Sequence, residues 1–130
     1  NPSIIHFSGH GNAEGICIQD GQNQIKIIRN EILGPFFKSL SGVTELVVLN
    51  SCLSSAQAEI IAEFIPFVVG TKVKIQDELA IAFSSGLYNG LGEGLGLRDA
   101  IERGRWSVGI ESPAAMEYYE AWENGFPIIW

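Results

Sequence analysis

The sequence predicts an α/β fold, a mostly parallel sheet flanked by helices. Two short apolar runs, Ile4–Phe7 and Leu46–Leu49, stop abruptly at small polar residues. Runs of this length and bounding read as strands buried in a parallel sheet. A third, Phe67–Gly70, follows a helical pattern that Pro66 closes. Strand, helix and strand in alternation give layers joined by right-handed crossovers.

Taken in order, the first strand is followed by a hairpin. Gly15–Gln19 and Gln24–Ile28 pair around the turn residues Asp20, Gly21, Gln22 and Asn23. Asn30 is the expected N-cap of a helix over Glu31–Leu40, which Gly34 and Pro35 should kink or shorten. After the Leu46–Leu49 strand, Ser54 caps a helix over Ser55–Phe64 whose Ala56, Ile60, Ile61 and Phe64 share the sheet-facing side. A polar loop, Thr71–Gln76, leads to a helix from Asp77 to about Leu91 with Leu79, Ala82, Phe83, Leu87 and Leu91 as its buried stripe. Gly90–Gly96 joins this to a helix over Leu97–Arg105; the glycines do not link a strand to a helix, so no phosphate loop is expected there. Ser112 and Pro113 start a last helix, Ala114–Glu123, before a terminal strand at Pro127–Trp130.

The chain has 130 residues, 46% of them apolar, enough for one domain with a real core. A net charge of −7 argues against a nucleic-acid binder, which needs a basic stripe. Only Lys72 with Lys74, and Arg98, Arg103 and Arg105, cluster. Two cysteines make no disulfide framework, which points to a reducing, cytoplasmic compartment. No apolar run has membrane length and no signal peptide is recognisable, so no membrane association is expected.

Cys52 falls just beyond the carboxyl end of the second strand, where open α/β sheets place their ligands. The helix that Ser54 caps points its positive dipole end toward that position and favours a thiolate. His10 lies beyond the end of the first strand between Gly9 and Gly11, whose permissive backbones let the imidazole project over the sheet edge. A base beside a thiol is what nucleophilic catalysis requires. Cys17, in the hairpin, and His6, inside the first strand, are read as packing residues. A metal site from His6, His10 and Cys52 is not expected, because i and i+4 on a turning strand do not converge as they do on a helix. No cofactor is called for. Asp77 and Glu78 suit a helix N-terminus; Asp77 also follows the loop after the third strand and is the acidic residue aimed at the same crevice.

The stretches IIHFSGHG and VVLNSC, together with FVVGTKVKIQDELAIAFSSGLYNGLGEGLGLRDAIERG, resemble the caspase-like cysteine peptidases, and most closely the CHAT domain of bacterial proteins. The resemblance covers roughly Ile4 to Gly104. It implies a caspase-like layered fold in which residues 1–130 are the C-terminal, catalytic portion. It also implies His10 as general base and Cys52 as nucleophile, with the backbone N–H groups of Gly11 and Cys52 as oxyanion hole. Asp77, helped by Asn50, would then bind a basic side chain at the cleaved position. Asn50-Ser51 departs mildly from the family's residues before the cysteine, and the tail beyond Gly109 has no counterpart in it. Family domains carry strands ahead of the histidine strand that this sequence lacks, so an N-terminal partner segment completing the sheet is expected.

Two function classes follow. The first is a cysteine endopeptidase acting on a protein or peptide, gated by a regulatory domain or partner, in bacterial defence or cell death. The second is a catalytically inactive caspase-like scaffold that mediates protein interaction. A histidine and a cysteine at two strand ends favour the enzyme, since packing alone asks for neither. A third class, a small-molecule α/β binding domain, lacks a phosphate loop at the first strand turn.

Overall fold

The computed structural model describes residues 3–7, 11–12, 14–19, 25–49 and 55–130. They form two compact units, Asn1–Lys74 with Glu120–Trp130, and Ile75–Tyr119. The class is α/β with a mixed five-stranded sheet and helices, as the apolar runs predict.

In the first unit, β1 (Ile4–Phe7), β5 (Leu46–Leu49) and β6 (Phe67–Thr71) lie side by side and parallel. β7 (Tyr119–Glu123) and β8 (Phe126–Pro127) complete the order β1-β5-β6-β7-β8. The Asn124 N–H donates to the Pro66 carbonyl at 2.8 Å, and Lys72 reaches Glu120 at the far end of the strands, so β7 runs opposite to β6. A second, antiparallel sheet holds β2 (Gly11–Asn12), β3 (Gly15–Gln19) and β4 (Ile25–Arg29). The expected hairpin is therefore present, its second strand set one residue later; its turn lies outside the described residues. Gly15 is obligatory there, because a Cβ would run into the Ile28 carbonyl and sit 2.9 Å from the Arg29 Cα.

Every residue of β5 is buried, which explains its unbroken apolar run. Val47 and Leu49 point to one face, where they meet Val68, Ile16, Trp122 and two helices. The helices are α1 (Asn30–Ser39) and α2 (Ser55–Ala62). α1 presents Leu33 and Phe37, both fully buried. It runs through Gly34 and Pro35 for its full ten residues, because those two anchors on either side hold it against the sheet. Asn30 is its first helical residue, not its cap; the side chain instead accepts a hydrogen bond from buried Gln57 of α2 at 3.5 Å.

The buried stripe of α2 is Ala58, Ile61 and Ala62, continued by Ile65 after the helix. That is about one position round from the expected face: Ala56 is exposed, and Ile60 and Phe64 are half-buried at the margin. The helix ends two residues early in the turns Glu63 to Ile60 and Phe64 to Ile61.

The largest correction concerns Ala114–Glu123. This stretch is a short 3₁₀ turn, Pro113–Tyr118, followed by β7, not a helix. Tyr119, Ala121 and Trp122 are buried, and the strand turns back through Asn124 (φ 50°) and Gly125 (φ 85°) into β8. Two positive-φ residues in a two-residue loop are what a type I′ hairpin demands, and Asn-Gly is its strongest sequence signal. The terminal strand is accordingly Phe126–Pro127, and Ile128–Trp130 of the expected Pro127–Trp130 strand lie outside it.

The second unit is built on α3 (Asp77–Gly92) and α4 (Leu97–Glu111). The expected stripe on α3 holds for Phe83 and Leu87, while Leu79, Ala82 and Leu91 are half-buried and Gly86 and Gly90 join the buried face. α4 continues six residues past its expected end at Arg105. Its glycines are contact points, not breaks: a Cβ on Gly104 would lie 2.8 Å from the Phe83 carbonyl oxygen, and one on Gly86 would run into Ser107. Arg105, nearly buried, donates to the Met116 carbonyl at 3.2 Å and pairs with Glu117, tying the 3₁₀ turn to α4. Tyr119 stacks on Phe83 with ring centroids 4.6 Å apart, and burial pushes its phenol well above the usual range.

The close helix approach yields a test of opposite signs. Gly104→Ala should lower stability by about 1–3 kcal/mol, since backbone and not a flexible side chain blocks the new methyl. Gly92→Ala, with nothing within 4 Å, should be neutral or raise it by up to about 1 kcal/mol. Thermal unfolding of the two variants checks this.

Candidate active site

The parallel strands β1 and β5 are in register, with His6 opposite Val48 and Phe7 opposite Leu49. They end level. His10 follows Phe7 by three residues, and Cys52 follows Leu49 by three. Each segment is therefore tethered to the same end of the sheet, from strands that sit about 4.8 Å apart. His10, Asn50 and Cys52 themselves lie outside the described residues, as does Ser54. α2 begins at Ser55, where the sequence predicts its start.

Gly11 is described as backbone. It opens β2, the edge strand of the antiparallel sheet, opposite Ile16 of β3. Asp77 is the exposed first residue of α3 and belongs to the second unit, so its assignment to the crevice rests on its place in the sequence. The structure thus describes two of the five sequence-predicted site residues, one in each unit. Sequence reasoning gave no role to Lys72 and Lys74. They follow the carboxyl end of β6, the third parallel strand, and both are exposed. The Lys72 ammonium lies 4.0 Å from the Glu120 carboxylate. The signal was their place directly after a parallel strand.

His6 is half-buried on the opposite face of β1 from Ile5 and Phe7, level with fully buried Val48. Burial lowers its pKa below the ordinary value. The native state thus resists protonation that the unfolded chain accepts. The stability this protects is complete above about pH 6.5 and is lost as pH falls through the lower native value. One such group changes stability by at most about 1.4 kcal/mol per pH unit. Urea unfolding at pH 7.5 and pH 5 should show wild type losing more stability than His6→Gln.

Among the described residues no three of His, Cys, Asp and Glu gather as metal ligands. No described helix is long and apolar enough to cross a membrane. No protein-family model matches the chain, and no curated protein matches it.

Proposed function

We propose that this chain is the catalytic portion of a caspase-like cysteine endopeptidase of the CHAT type. Cys52 is its nucleophile and His10 its general base. The observation that carries this is the in-register end of β1 and β5, from which the two residues are tethered at equal distance. Attack by the Cys52 thiolate on a peptide carbonyl gives a tetrahedral oxyanion, which the N–H groups of Gly11 and Cys52 stabilise. Collapse to the thioester releases the amine, which takes its proton from the His10 imidazolium; water, deprotonated by His10, then hydrolyses the thioester. The peptide carries a basic side chain at the cleaved position.

The setting we infer is the cytoplasm, consistent with two cysteines and no disulfide framework. A regulatory domain or partner gates the site in a bacterial defence or death response. β1 is the terminal strand of its sheet among the described residues, and a partner segment pairing along it would cover that edge.

The test is covalent labelling of the intact protein with a peptidyl electrophile carrying Arg at the cleaved position. Labelling confined to Cys52, absent in Cys52→Ala and strongly reduced in His10→Ala, is expected. A folded protein whose Cys52 resists labelling under every condition would instead be the inactive scaffold.

A further inference from the structure

We infer that Lys72 and Lys74 select an acidic side chain in the peptide, next to the bond that is cut. This deepens the peptidase reading above and rests on it. The strand order places β5, which leads to Cys52, between β1, which leads to His10, and β6, which leads to the two lysines. All three strands are parallel, so the three segments leave the same end of the sheet. The last described pair of β5 and β6 is Val48 with Val69; Cys52 follows the first by four residues and Lys72 the second by three. The strand that leads to the nucleophile therefore has the strand that leads to the base on one side and the strand that leads to the two lysines on the other.

The lysines are held outward. Thr71 before them and Ile75 after them are both buried, while Lys72, Val73 and Lys74 are exposed. The Lys72 side chain is 54% exposed even with Glu120 nearby, and Lys74 has no ion-pair partner among the described residues. On a chain of net charge −7 an acidic peptide is repelled by most of the surface. A local cationic pair after the strand next to the one that leads to the nucleophile gives such a peptide one favoured approach, and it fixes which flank of the cleaved bond carries the charge.

The experiment uses internally quenched peptides with Arg at the cleaved position, identical except for Glu or Gln at one flanking position, scanned on either side. Wild type should favour Glu over Gln at one position by about tenfold in kcat/KM, carried by KM and weakened by added salt, on the scale of two exposed ion pairs. Lys74→Glu should erase most of the preference, and Lys72→Glu/Lys74→Glu should invert it. Circular dichroism and Cys52 labelling verify that the variants stay folded and reactive. Equal cleavage of Glu and Gln peptides by wild type, or a preference that survives the double reversal, overturns this inference alone. An unlabelled Cys52 with no peptide cut overturns the peptidase reading and this inference with it.

Discussion

Replacing Cys52 with alanine is expected to lower peptide hydrolysis by at least about ten-thousandfold, with the fold retained. A methyl group has no lone pair to attack the carbonyl, so no thioester forms. What activity remains is the water reaction at a site that still binds the peptide. His10→Ala is expected to cost less, about a hundredfold to ten-thousandfold at neutral pH, because the thiol is a weak but real source of thiolate without a base. That difference gives a signature a structural role would not. A free cysteine ionises near pH 8.5, so His10→Ala should recover activity steeply between pH 7 and 9 while wild type does not. The double variant should be no worse than Cys52→Ala alone, since the two residues act as a unit. Steady-state hydrolysis of an Arg-containing peptide across that pH range measures all three.

The part of the fold that carries these residues was legible for a physical reason. A strand buried on both faces must be apolar at every position, and LVVL is, bounded by polar residues on both sides. The strand ends were therefore readable, and with them the coincidence of a histidine and a cysteine three residues beyond a paired register. Less was legible where burial came from closeness and not from side chains. Gly86, Gly90 and Gly104 pack because they lack a Cβ, which a count of apolar positions cannot register. The α2 stripe was misplaced because Ala58 and Ala62 are small enough to be buried against the sheet while the larger Ile60 and Phe64 lie at its margin. At the C-terminal end, local composition outweighed the turn: Ala114, Ala115, Met116 and Glu117 favour a helix, but Asn124 and Gly125 fix a hairpin whose first strand must run extended from Tyr119. Asp77 was legible as a helix start, and its reading as a site residue rests on its place in the sequence alone, since the same acid suits both.

Phe37→Ala is expected to destabilise the first unit by about 3–5 kcal/mol, a large share of the roughly 5–15 kcal/mol that holds a domain together. Phe37 has no exposed surface. Its ring meets Phe7 edge-on at 5.9 Å and Phe36 at 5.1 Å. Truncation leaves a cavity bounded by α1 and β1, and backbone elements paired in register cannot collapse into it. Phe37→Leu, which keeps most of the volume, should cost about 1 kcal/mol. Urea unfolding should move the midpoint in that order without changing its slope. The site of the loss matters as much as its size. Phe7 is the last residue of β1, and the chain to His10 starts from it. A ring that no longer backs Phe7 loosens the end of β1 that leads to His10, whereas β5, which leads to Cys52, is also paired with β6 on its other side as far as Val48. At a temperature where Phe37→Ala is still folded, Cys52 should therefore keep its accessibility to a small alkylating agent while its rate with the peptidyl electrophile falls. Equal rates with both reagents in Phe37→Ala and wild type would mean that the position of His10 does not depend on this packing.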